Sequence, residues 1–74
     1  MASTCEQVEE GKTSWPELVG EDGDFAVTTI EKENKLVNAE TILEGTKILQ
    51  IYICDRVYVW VNKKGMVIST PTIG

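Results

Sequence analysis

Histidine is absent from this 74-residue chain. That removes the usual general base and the commonest metal ligand together. Ser3, Ser14 and Ser69 have no imidazole to activate them, so a Ser-His nucleophile is excluded. Cysteine is scarce too, with only Cys5 and Cys54, far apart in sequence. Two thiols do not complete a zinc site, and this spacing is not a redox Cys-x-x-Cys. They form either one disulfide or two free thiols, according to compartment. Basic residues are few and dispersed: seven Lys and Arg face twelve Asp and Glu, for a net charge of −5. Nucleic acid, which needs a basic patch, is excluded as a partner. No apolar run approaches the length of a membrane span, so no membrane partner is expected. Met1-Ala2-Ser3-Thr4 has neither the charged nor the apolar region of a signal peptide. The expected location is cytoplasmic or, if the chain is processed, vacuolar or extracellular. Residues 20–23 are too short for a phosphate loop and lack the following Lys-Ser/Thr. The chain is not expected to be an enzyme, and no metal or cofactor is expected.

What is present suits one small globular domain: 42% hydrophobic and 26% charged residues. Residues 1–12, polar and carrying Glu6, Glu9 and Glu10, are expected to be a flexible N-terminal arm, with residues 13–74 as the domain. Trp15-Pro16 begins order, with the indole in the core beneath a turn. Asp22 is an N-cap for a helix over residues 23–34 that turns Phe25, Ala26, Thr29 and Ile30 inward. A strand is expected over 37–43 and another over 56–61. In the second, Val57, Val59 and Val61 alternate with Arg56, Tyr58 and Trp60. Lys63-Lys64-Gly65 turns the chain into a short return strand at 66–68. The class is α+β: one helix packed on a small mixed β-sheet. The run Ile48-Leu49-Gln50-Ile51-Tyr52-Ile53-Cys54 is rich in β-formers and, taken alone, extends the second strand backwards.

Three blocks assign that run a different role. Lys12-Thr13-Ser14-Trp15-Pro16-Glu17-Leu18-Val19-Gly20, Glu44-Gly45-Thr46 and Cys54-Asp55-Arg56-Val57-Tyr58-Val59-Trp60-Val61 resemble the potato inhibitor I family of small serine-protease inhibitors. The resemblance covers residues 12–74. It implies a first strand parallel to the second, joined by a long exposed protease-binding loop of Lys47, Ile48, Leu49, Gln50, Ile51, Tyr52 and Ile53. It places the reactive-site bond at Gln50–Ile51, with Gln50 entering the specificity pocket. It implies a Cys5–Cys54 disulfide, and loop support from Arg56, Tyr58 and Gly74. The implied partners are chymotrypsin-, trypsin- or subtilisin-like serine proteases, met by a monomer, in plant defence and the wounding response.

The chain departs from the family inside that loop. The family usually has Thr before the pocket residue and Asp or Glu after it, both braced from the strand below. Here those positions are Leu49 and Ile51, and a family Arg or Trp is replaced by Tyr58. Arg56 is then expected to lack its acidic partner and to keep only the Gly74 carboxylate. Gln50 suits neither a trypsin pocket nor a deep apolar one. Inhibition that is weak or of unusual specificity is the expectation. The rival is a non-inhibitory member that uses the apolar loop for protein interaction or self-association.

Overall fold

A computed structural model describes residues 4–49 and 51–74 of the chain. In chain order the elements are helix α1 (Thr4–Glu10), a 3-10 turn (Pro16–Leu18), helix α2 (Gly23–Glu33), strand β1 (Asn38–Leu43) and strand β2 (Arg56–Val61). The class is the one expected: α+β, with the second helix on a small sheet and a long connection between parallel strands.

Helix α2 starts where its cap is. Asp22 is extended, and its carboxylate accepts the Phe25 N–H at 3.2 Å, satisfying one of the free donors of the first turn. It ends at Asn34, whose backbone leaves the helical region after its N–H bonds to Ile30 O. The inward face differs from the expectation at one position. Gly23, Ala26 and Ile30 are buried and Val27 packs beside them, whereas Phe25 is 55% exposed. Phe25 lies roughly 200° round the helix from Gly23, at about 100° per residue. The sheet-facing slot belongs to glycine because the helix touches the strands there. A Cβ on Gly23 would fall 2.8 Å from Val61 Cγ1 and 3.0 Å from Thr41 Cγ2. A count of apolar side chains overlooks such a position.

Strands β1 and β2 pair in parallel, in register from Asn38↔Arg56 to Leu43↔Val61. Val57, Val59 and Val61 are buried against α2, and Arg56, Tyr58 and Trp60 are half-buried on the opposite face. Lys63 and Lys64 make the turn, with Gly65 at φ +81° supplying a backbone that side chains rarely adopt. The return strand expected at 66–68 reduces to isolated bridges, Val61 with Val67 and Asp22 with Met66. The segment is shared: Val67 bonds through its main chain to Gly20 and Glu21, while Ile68 N–H bonds to Trp60 O of β2.

The N-terminal segment also differs from the arm expected there. Residues 4–10 form α1, and Val8 is completely buried in the same core as Trp15, Ile30, Val57 and Val59. Cys5 is bonded to Cys54, with a Cα–Cα separation of 5.4 Å. Asn34, itself buried, donates from Nδ2 to Val8 O (3.1 Å) and Lys12 O (3.0 Å) and accepts Leu36 N–H on Oδ1. The sequence signal for this docking is Cys5 and Val8, one helical turn apart on one face. A single valine among polar neighbours is too little to show a period.

Around Trp15, Glu33 Oε1 accepts the indole N–H at 2.9 Å and lies 3.4 Å from Lys12 Nζ, which also bonds to Glu17. That hydrogen bond holds the Glu17 carboxyl below its ordinary range and raises the Lys12 ammonium. The Glu17 contribution is lost as pH falls through its lowered value, and the Lys12 contribution as pH rises through its raised one. Both groups are exposed, so solvent screens the pair.

Asn34→Asp would turn two donated bonds into a carboxylate facing two carbonyl oxygens. We expect a loss of roughly 3 kcal/mol at neutral pH. The introduced carboxyl would have a raised folded pKa. The penalty should therefore be smallest below about pH 4, where the carboxyl O–H keeps one of the two donated bonds, and grow as pH rises above it. Urea denaturation of variant and wild type at pH 3 and pH 7 checks both sign and size.

Candidate functional site

The connection from β1 to β2 leaves the sheet at Glu44 and returns at Asp55. Gly45, at φ +84°, turns the chain outward, and Thr46 N–H closes the turn onto Leu43 O at 3.1 Å. From there residues 46–49 and 51–53 have no regular structure. Leu49 is 76% exposed; Lys47, Ile51, Tyr52 and Ile53 are also exposed, and Ile48 is half-buried. Gln50, the expected pocket residue, lies outside the described residues. An exposed apolar run on a chain this small marks a contact surface for another molecule.

Arg56, the first residue of β2, is where the loop is held. Its Nη2 donates to Ile51 O at 2.6 Å and its Nε to Gly74 O at 3.0 Å, so one planar guanidinium spans loop and terminal segment. The guanidinium carbon lies 4.4 Å from the centroid of the Tyr58 ring, and Tyr58 meets Trp60 edge-on at 6.4 Å. Gly74 is fixed in turn by its N–H to Arg56 O (2.8 Å), and Ile73 bridges antiparallel to Val57. Lower down, Arg56 N–H bonds to Ile53 O, and the disulfide ties Cys54 to α1.

The support of the loop differs from the expectation in one respect. The Gly74 contact of Arg56 is present. Ile51 has no carboxylate to offer, yet Arg56 still reaches the loop at the same residue through a main-chain carbonyl. Sequence reasoning misses this bond because every residue carries that carbonyl and only the fold aims it. Tyr58 contributes its ring face to Arg56. Leu49 and Ile51 instead line a shallow cavity of about 280 Å³ between the loop and Tyr58. On the β1 side of Arg56 a second cleft of about 420 Å³ carries Glu31, Glu40 and Asp55. Glu31 there accepts the Ala39 N–H at 2.9 Å.

The two halves of the loop are held unequally. After residue 50, the Ile51 and Ile53 carbonyls and the Cys54 sulfur each have a partner. Before it, no hydrogen bond of Lys47, Ile48 or Leu49 is found among the described residues. Such a site can present an extended main chain to another protein's cleft. Among the described residues it brings no nucleophile together with a histidine base, and no three His, Cys, Asp or Glu gather as a metal site.

With this geometry established, comparison with known proteins is specific. The model of the potato inhibitor I family matches residues 6–74. The "Inhibitor of trypsin and hageman factor" of Cucurbita maxima is 48% identical over 64 residues, covering 86% of this chain and 94% of its own. The "Glu S.griseus protease inhibitor" of Momordica charantia is 45% identical over 65 residues, covering 88% and 96%. The crystal structure of bitter gourd trypsin inhibitor is similar at a TM-score of 0.85 and 48% identity, over 86% of this chain and 94% of that one.

The unequal support should be measurable in the free protein. Amide order parameters of residues 51–53 should approach the roughly 0.85 of rigid backbone, and those of 47–49 should fall below them. Arg56→Met, which keeps the stem and removes the fork, should lower Ile51 toward the level of 47–49, while Ile53 stays held by the main-chain N–H of residue 56. Nitrogen-15 relaxation on both proteins decides it, with the α2 amides as the internal standard.

Proposed function

The chain belongs to the potato inhibitor I family, and from that premise we propose that it inhibits serine endopeptidases by laying residues 47–53 in their active-site clefts. The reading rests chiefly on one observation, the Arg56 fork that holds the Ile51 carbonyl to the body of the domain. In this reading Gln50 enters the specificity pocket, and the enzyme's serine attacks the Gln50 carbonyl. Cleavage leaves an acyl-enzyme on Gln50 and a free amine on Ile51. That amine belongs to the better-held half of the loop, so it stays beside the acyl carbon at high effective concentration and the peptide bond re-forms. A loop ordered before binding also loses little entropy when it docks, so a modest interface becomes a tight one.

Gln50 sets the preference among targets. Its neutral amide does not satisfy the buried Asp of a trypsin-type pocket. It is the uncharged isostere of Glu, so it also lacks the negative charge that a Glu-directed pocket selects. The target class we propose is therefore serine endopeptidases whose pockets accept a polar, uncharged side chain, subtilisin-like enzymes included. The acting species is the monomer, since a net charge of −5 opposes association of copies. Its place of action is an oxidising compartment, in keeping with the Cys5–Cys54 bond.

The test is titration of trypsin, chymotrypsin, elastase, subtilisin and a Glu-directed serine endopeptidase with the pure protein, with sedimentation for the oligomeric state. At least one enzyme should lose activity, and trypsin should not be the most sensitive. Full activity of all five at micromolar protein would overturn the proposal. Leu49→Thr with Ile51→Asp should strengthen inhibition roughly 10- to 100-fold, the equivalent of a shielded charge-assisted bond to Arg56. Adding Gln50→Lys should direct the molecule to trypsin. Loop support and pocket fit are separate terms, so the triple variant should exceed either set alone. A folded triple variant that leaves trypsin fully active at micromolar concentration would show that the reactive bond is not Gln50–Ile51.

A further inference from the structure

Tyr52 is 62% exposed, yet its ring is not free. It lies over Gly74 so closely that a Cβ there would fall 3.1 Å from Cδ1 and 3.2 Å from Cε1. Gly74 adopts φ +135°, a conformation that also favours glycine, so both the backbone and the open face of this residue suit the ring. The surface under the ring is immobilised on several sides. Gly74 N–H bonds to Arg56 O at 2.8 Å, Gly74 O accepts Arg56 Nε at 3.0 Å, and Ile73 N–H bonds to Thr13 O at 3.1 Å. The Tyr52 hydroxyl stands 3.5 Å from Glu9 Oε2, the outer limit of a hydrogen bond, on a helix tied down by Val8 and the disulfide. Tyr52 thus meets both terminal segments of the domain, Glu9 on one side and Gly74 on the other.

The side chains at 49 and 51 offer no polar brace. Leu49 and Ile51 carry no donor or acceptor and so form no side-chain hydrogen bond to the strand beneath. Arg56 holds the Ile51 carbonyl, and the next main-chain anchor is the Ile53 carbonyl on Arg56 N–H. The Tyr52 ring, seated between those two anchors, limits rotation of the span that joins them.

We propose that Tyr52 is the positioning residue of the inhibitory loop, its ring packed on Gly74 to hold the Ile51 amine in place after cleavage. The contact is one of packing, so the ring matters and the hydroxyl does not. The proposal deepens the inhibitor reading and rests on it for its consequence, while the packing itself can be examined without any protease.

The experiment compares Tyr52→Phe, Tyr52→Ala, Gly74→Ala and the double alanine variant in the full chain. Nitrogen-15 relaxation of residues 51–53 is recorded in the free proteins, and the rate of Gln50–Ile51 cleavage and the inhibition constant are recorded with the most sensitive enzyme. Tyr52→Phe, which keeps the ring, should leave the mobility of 51–53 in the free protein as it is in wild type. Tyr52→Ala should mobilise 51–53 and speed cleavage about tenfold or more. Gly74→Ala should do the same by pushing the ring off its seat, and the double variant should be no worse than either single one. Unchanged mobility of 51–53 in Tyr52→Ala would overturn the proposal. So would weakened inhibition without added mobility, which would mean that the ring touches the protease directly. A loss in Tyr52→Phe equal to that in Tyr52→Ala would overturn it as well, by assigning the effect to the hydroxyl. If wild type inhibits nothing while the mobility pattern is as expected, the inhibitor reading fails and the packing role of Tyr52 stands.

Discussion

Two neighbouring strands that run parallel cannot be joined by a tight turn, because the chain must travel back the full length of the first before starting the second. In most proteins a helix makes that journey. Here α2 comes before β1, so no helix is left for the crossover, and the connection runs outside the fold as bare main chain. The parallel register of Asn38–Leu43 with Arg56–Val61 therefore decides that an exposed, extended segment must exist and where its two ends are fixed. The rest of the site is an answer to the cost of keeping such a segment ordered.

The answer concentrates on Arg56. Its position at the head of β2 lets one side chain reach the loop above and the terminal segment beside it, while Tyr58 and Trp60 pack behind it. The guanidinium is suited to this because it is planar, always charged and carries five donors in fixed directions, so it can hold two oxygens at once. Hydrogen bonds from a charged donor are worth about 1.5–3 kcal/mol net, several times what an exposed ion pair contributes. The disulfide and the buried Val8 act at the same end of the loop, through Cys54. They make α1 part of the support, although its residues are nearly all polar. At Ile51 a main-chain acceptor thus replaces the side-chain acceptor that the residue does not offer.

Much of this architecture is legible in the sequence. The Asp22 cap, the alternation of valines in β2 and the blocks around Trp15 and Cys54 carry strong local signals, since each depends on residues within a turn or two of one another. The parallel loop-bearing topology is implied by the family resemblance, and the structure has it. The misses share a cause. Phe25 reads as an inward residue because it is the largest apolar one of its helix, but Gly23 takes the sheet-facing slot by having no side chain. Val8 reads as part of a polar arm because a lone valine has no period. The bond from Arg56 to Ile51 is invisible in the sequence because its acceptor is a backbone atom common to all residues.

Residue type and local spacing suffice to say which segments become helix and strand and which face of β2 is apolar. They also suffice to say that no histidine chemistry is possible and that the loop lacks polar side chains at 49 and 51. Short-range physics reads all of these directly. Packing in three dimensions is what makes the Ile51 carbonyl meet the Arg56 fork, seats Tyr52 on Gly74, and docks α1 through Val8 and Cys5. Those contacts join residues remote in sequence through main-chain atoms or through the absence of a Cβ. No side-chain pattern encodes them, so they exist only once the parallel pair has brought the loop, the head of β2 and both terminal segments to one place.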